Sequence, residues 1–189
     1  PYLPKLYEVI IADDSTTVIE EYIEGQSLGN AELSEKQLLS AVKELCSVLE
    51  FLHGKDIIHR DVKPSNIILA KDGHIRLIDF DASRMPKDDL EQDTRLLGTR
   101  GYAPPEQYGF AQTDARADIY AFGITMKQLL GDKAQKPCYR RIIQKCINLD
   151  PDKRFQSAKQ VKRAFSYRKR GVLYSFMAVI LLAFLGIMI

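Results

Sequence analysis

The sequence predicts an α+β chain that is mostly helical, with a small β portion at its front and one apolar helix at its end. Three observations carry this reading. Short β-type runs occupy 6–11 and 17–23 and recur between 57 and 80. A helical apolar period begins near Leu38, and further helical segments follow at about 114–130, 138–148 and 157–166. The last nineteen residues, "GVLYSFMAVILLAFLGIMI", carry no charge.

The β runs at 6–11 and 17–23 are separated by the turn "ADDS", and "GQSLGN" reads as a loop. Ser34 opens a helix, with Gln37 three residues on as its capping-box partner. Leu38, Val42, Leu45, Leu49 and Leu52 then make one apolar face as far as about His53, and Gly54 ends it. Ile57–His59 and Ile67–Leu69 read as short strands, and "KDG" as a hairpin turn into the strand "HIRLIDF". Residues 82–113 combine charges, Pro and Gly with weak periodicity and form a long loop, of a length that is usually functional.

The 189 residues suffice for one domain or slightly more, with an ordinary globular share of 46% hydrophobic and 28% charged residues. A formal charge of +2 gives no argument for a nucleic-acid partner. Charge is unevenly spread: from Lys153 to Arg170 there are eight Lys/Arg and no Asp or Glu. Cys46, Cys138 and Cys146 have no metal-ligand spacing and read as reduced packing thiols. The uncharged terminus spans roughly 28 Å as a helix, about a bilayer core. "YRKR" precedes it directly. Residues 172–189 are therefore expected to cross the cell membrane once, with the basic run and the preceding domain on the cytoplasmic side.

The chemistry gathers at "DIIHRDVKPSNIIL", residues 56–69. Asp61 and Asn66 flank a turn between two strands, and Asp79 ends the next strand, so Asn66 and Asp79 can converge on one edge. Oxygen ligands of this kind suit Mg²⁺, which takes few protein ligands and completes its shell with phosphate oxygens. Lys63 can point the same way along the turn as Asp61. A carboxylate for a hydroxyl proton, a cation beside the transferring group and a metal pair together suit phosphoryl transfer.

"HRDVKPSN" (59–66) resembles the catalytic loop of eukaryotic-type, bacterial Hanks-type serine/threonine protein kinases, H-R-D-x-K-x-x-N. "DFD" (79–81) resembles their D-F-G motif, and "GTRGYAPPEQ" (98–107) the end of their activation segment. "DIYAFG" (118–123) is similar to their D-x-[YW]-[AS]-x-G helix, and Arg154 sits where a late arginine pairs with the A-P-E glutamate. The resemblance covers roughly residues 1–167. It implies a kinase-like fold, with strands and hinge of the small lobe in 1–25, the helical lobe in 26–167, and a basic juxtamembrane segment with a transmembrane helix in 168–189.

The resemblance also implies roles. Asp61 is base or orienter for the substrate hydroxyl, Lys63 stabilises the transferring phosphoryl group, and Asn66 and Asp79 hold Mg²⁺. ATP is gripped at the hinge "EEYIEG" by the Glu21 carbonyl and the Ile23 N–H. His59, Arg60, Glu106, Asp118 and Arg154 support the site. Thr99 touches Asp61 and Lys63, and Thr94 and Thr99 are candidate phosphosites, Thr94 by pairing with Arg60. The substrates implied are protein Ser/Thr hydroxyls, with a homodimer for autophosphorylation.

Departures from the family pattern shape the expectation. Asp81 replaces the D-F-G glycine, Pro104 the A-P-E alanine, and Glu20 takes the usually apolar gatekeeper place. The chain opens at "PYLPKLYEVI", which resembles the fourth strand, without a G-x-G-x-x-G ahead of it. An N-truncated fragment, inactive alone, is the expectation. The rival is a membrane-anchored pseudokinase or scaffold.

Overall fold

Ser34 sets the longest helix among the described residues. In the computed structural model, which describes residues 2–13, 15–83, 98–108 and 113–166, the Ser34 hydroxyl accepts from the Gln37 N–H and the Gln37 side chain accepts from the Ser34 N–H. This reciprocal cap starts α1 (Glu35–His53), and Gly54 stops it. Such a cap contributes about 1 kcal/mol. The predicted apolar face is the buried one: Leu38, Val42, Leu45, Leu49 and Leu52 all lie in the core. Each buried leucine or valine stabilises the fold by roughly 1.5–3 kcal/mol. Glu44 is buried on the same helix, and its carboxylate accepts the Ile75 N–H at 2.9 Å and meets His74 Nδ1 at 3.1 Å.

Two small sheets accompany the helices. Strands β1 (Leu6–Ala12) and β2 (Ser15–Glu20) form an antiparallel hairpin in which Val9 faces Val18. Every residue of the two strands is exposed. The second sheet has the order β3 (Gly25–Ser27), β4 (Ile67–Ala70), β5 (Ile75–Leu77), all antiparallel.

The boundaries differ from expectation for physical reasons. β2 ends at Glu20 rather than 23, where the pairing with β1 runs out. "GQSLGN" contains β3, because Gly25, Gln26 and Ser27 pair with Ala70, Leu69 and Ile68. Three residues without apolar alternation leave no period to read. Ile57–His59 is not a strand. Only Ile58 makes a bridge, and the N–H groups of His59 and Arg60 go to the Asp118 carboxylate instead of a ladder. The strand at 74–80 stops at Leu77, and Asp79 adopts φ 66°, which ends extended chain.

Helix α2 (Arg116–Leu130) starts two residues late, since Asp114 accepts the Arg116 N–H at 2.8 Å and forms the preceding turn. Helix α3 (Pro137–Cys146) and helix α4 (158–166) lie where the sequence places them. Gly123 of α2 has no room for a side chain: a Cβ there would stand 2.6 Å from Cys146 Cβ. Cys46 and Cys146 are buried free thiols whose burial pushes their pKa up, in keeping with packing roles. Of the long loop at 82–113, the described part contains a 3-10 turn, Pro105–Tyr108. Among the described residues no helix is long and apolar enough to cross a membrane. The predicted span at 172–189 lies outside them.

Candidate active site

Arg60 has the unusual backbone from which the site is built. Its φ is 67°, a left-handed conformation that costs a non-glycine residue roughly 1–2 kcal/mol. Both sides of the residue are held. Its N–H donates to Asp118 Oδ1 at 2.8 Å, and its carbonyl accepts from Gln107 Nε2 at 2.8 Å. Asp118, fully buried at the start of α2, also accepts the His59 N–H at 2.9 Å and meets His53 Nε2 at 2.8 Å. Burial alone would raise the Asp118 carboxyl. The hydrogen bond and charge of His53, with His59, outweigh it and hold the group below the usual carboxylate range.

The strained turn delivers Asp61. Lys63 Nζ donates to Asp61 Oδ2 at 2.7 Å and to Thr99 Oγ1 at 2.7 Å. Thr99 closes the triangle, donating its hydroxyl at 2.7 Å and its N–H at 3.0 Å to Asp61 Oδ1. Burial would raise the Asp61 carboxyl as well, but the hydrogen bonds from Lys63 and Thr99 and the Lys63 charge prevail and depress it. Asp61 is thus an ionised carboxylate at neutral pH.

Asn66, in the 3-10 turn Pro64–Asn66, ties this group to the next strand. Its Nδ2 lies 3.1 Å from the Asp61 carbonyl, 3.0 Å from Asp61 Oδ2 and 3.2 Å from Asp79 Oδ2. Asn66 and Asp79 therefore converge as the hairpin register predicts, with Ile67 opposite Leu77. Both residues carry hard oxygen donors and Asp79 is exposed, which suits Mg²⁺ with further ligands from a phosphate; in the structure Asn66 turns Nδ2 toward Asp79, and its Oδ1 accepts from the Ser65 hydroxyl at 3.3 Å. Among the described residues no group of three His, Cys, Asp or Glu could hold a metal. His59 lies beneath. Its ring meets Phe80 edge-on at 4.7 Å, Nδ1 faces the Asp61 N–H at 3.3 Å and Nε2 faces the Ile78 carbonyl at 3.3 Å. Burial lowers its pKa against the opposing Asp118 charge, and a neutral ring protonated at Nε2 satisfies both contacts.

The far end of the activation segment is anchored separately. Arg154, 1% exposed, forks onto Glu106 at 2.5 and 3.0 Å, as the sequence predicts. Glu21 and Ile23 follow β2. The Glu21 N–H donates to the Lys5 carbonyl at 2.8 Å and its carboxylate accepts the Lys5 N–H. Neither residue is hydrogen-bonded to the Asp61 cluster among the described residues. Thr94 lies outside the described residues, and so does its pairing with Arg60.

Sequence reading passed over two residues. His53 shows only as the last position of α1, and its partner is 65 residues away. Gln107 reads as the neighbour of Glu106, yet it reaches the catalytic turn. Gly98 explains why the two stretches can meet: at φ 110°, a Cβ there would stand 2.3 Å from Gln107 Nε2 and 3.2 Å from the Arg60 carbonyl. Gly98→Ala is expected to lower the melting temperature by several degrees, about 1–3 kcal/mol of strain and overpacking. An unchanged thermal transition would show that Gln107 swings aside at no cost.

A buried aspartate bracing a strained turn, with a carboxylate, a lysine and an Asn–Asp pair beside it, is the arrangement expected of a protein-kinase fold. Residues 1–138 match the protein kinase domain, and the chain belongs to that family. It is 30% identical to serine/threonine-protein kinase D of Synechocystis sp., over 86% of this chain and 38% of that protein. Serine/threonine-protein kinase B of the same organism is 29% identical over 85% of this chain and 34% of its own length. Serine/threonine-protein kinase PrkC of Bacillus subtilis is 31% identical over 69% of this chain and 21% of its own length. The chain thus spans well under half of each of these relatives.

Proposed function

We propose that the chain is the catalytic lobe of a membrane-anchored serine/threonine protein kinase that moves the ATP γ-phosphate to protein hydroxyls. The observation that carries this is the closed Asp61–Lys63–Thr99 triangle beside the Asn66–Asp79 pair. In this reading Asp61 orients the incoming Ser or Thr hydroxyl. The hydroxyl oxygen bonds to the γ-phosphorus, the bond to the β-phosphate oxygen breaks and ADP leaves. Asp61 takes the proton late, since a depressed carboxylate is a weak base but a firm acceptor. Lys63 donates to the transferring group, and phosphoryl transfer depends mainly on such positioning and fixed charge. Mg²⁺ held by Asn66 and Asp79 would neutralise charge on the phosphates. The Glu21 carbonyl and Ile23 N–H would grip adenine. Residues 172–189 would anchor the protein with its catalytic lobe in the cytoplasm, where a second copy could be phosphorylated.

Every residue of β1 and β2 is exposed, so these strands would cover a nucleotide at the hinge from one side only, and the 189 residues are expected to bind ATP weakly and to transfer no measurable phosphate. The test fuses the glycine-rich, lysine-bearing front of a family relative ahead of Tyr2 and measures Mg·ATP-dependent labelling of a Ser/Thr peptide. Activity is expected, and Asp79→Asn should weaken Mg²⁺-dependent ATP binding roughly tenfold or more, at least 1.4 kcal/mol. A fused protein that folds and binds ATP but transfers nothing favours the scaffold reading.

A further inference from the structure

Charge divides this chain into two regions. Residues 1–132 hold fourteen Lys/Arg against twenty-three Asp/Glu, whereas residues 133–170 hold thirteen against two, Asp150 and Asp152. The net charge of +2 conceals this separation. The basic residues that the structure describes belong largely to α3 and α4, which lie antiparallel. Tyr139 at the start of α3 packs near Phe165 at the end of α4, with ring centroids 6.2 Å apart. Lys145 near the end of α3 lies 4.5 Å over Phe155, just ahead of α4.

The end of this pair from which the chain leaves is therefore the end that carries Lys133, Lys136, Arg140 and Arg163, all exposed. Among the described residues Lys133, Arg140 and Arg163 have no carboxylate within ion-pair distance, and Lys136 is 4.0 Å from Glu35 Oε2. Asp132 is the nearest acid in sequence and is also exposed.

Chain length brings this surface to the bilayer. Five residue steps separate Ser166, the last described residue of α4, from Gly171, the first of the uncharged segment. Fully extended they reach at most about 18 Å. Three of the four intervening residues, Arg168, Lys169 and Arg170, are themselves cations. A tether this short lets the end approach a charged leaflet to within the screening length of about 8 Å at physiological salt. An anionic leaflet attracts each such residue. We infer that the α3–α4 end bearing Lys133, Lys136, Arg140 and Arg163 docks on the headgroups of anionic phospholipids and fixes how the catalytic lobe sits on the membrane. This rests on the membrane reading of residues 171–189.

The test places the full chain in nanodiscs of phosphatidylcholine, alone or with about 30 mol% phosphatidylglycerol. Lysine acetylation is then timed by mass spectrometry. In the anionic discs Lys133 and Lys136 are expected to react about threefold or more slowly, and about 0.5 M salt should remove the difference by screening. Lys5, just before β1, and Lys71, just after β4, should react alike in both. Arg140→Glu with Arg163→Glu should restore fast acetylation in the anionic discs. A chain that high salt strips from both kinds of disc overturns the membrane reading and this inference together. A chain retained by both, with equal acetylation, overturns this inference alone. So does protection in neutral discs that rises with protein density, which would mark a contact with a second copy.

Discussion

Asp61→Asn is expected to lower kcat by roughly 10²–10⁴ in the protein fused to a relative's front segment, the range for a residue acting in acid–base catalysis. The substitution keeps the shape of the side chain. It can still accept through one oxygen, but it cannot take a proton, and its amide nitrogen would face donors: Lys63 and Asn66 now meet one oxygen of Asp61, and the Thr99 hydroxyl and N–H the other. The loss belongs in kcat and not in ATP affinity, because in the proposed reading Asp61 orients the substrate hydroxyl while Asn66 and Asp79 would hold the metal. The pH profile carries a sign. The Asp61 carboxyl is depressed, so its charged form is present above the ordinary aspartate range and is lost only as pH falls through the lowered value. The acid limb of kcat/KM should therefore lie below the normal aspartate pKa. Unchanged turnover in Asp61→Asn would refute the assignment.

Arg154→Ala costs on the order of 3–5 kcal/mol, the penalty for leaving one member of a buried ion pair alone. More than Glu106 is orphaned. The guanidinium also donates to the carbonyls of Asn148 at 2.7 Å, Arg116 at 3.0 Å and Leu149 at 3.2 Å, and it lies over the Tyr120 ring. One planar group serves five acceptors from four places in the chain, so Arg154→Lys should rescue little. A fall in melting temperature of about 10 °C is expected for Arg154→Ala. Glu106→Gln with Arg154→Ala should lose less than the sum of the single changes, since no bare carboxylate then remains. A melting temperature unchanged by Arg154→Ala would mean that the pair is open to water in solution.

Much of the site was legible because its chemistry is local. Asp61, Lys63 and Asn66 lie within six residues, and one hairpin brings Asp79 alongside. Helix α1 was legible to its last residue because its cap and apolar period are written in neighbouring positions. Strand β3 was not, since three residues take their conformation from the partner β4. The segment at 57–59 looked like a strand by composition. It failed to become one because a carboxylate from α2 captures its N–H groups.

The sequence by itself determined the family, the order of the motifs and the identity of the groups that can bear charge, since each depends on residue type and short spacing. Only the tertiary structure decided how those groups are held. The left-handed turn at Arg60 persists because Asp118, 58 residues on, takes its N–H while Gln107, 47 residues on, binds its carbonyl, and His53 meets the same carboxylate from the end of α1. These partners are distant in sequence and leave no period or motif that links them. Their meeting follows from α1 and α2 burying their apolar faces in one core, which carries His53 and Asp118 together beside the Arg60 turn.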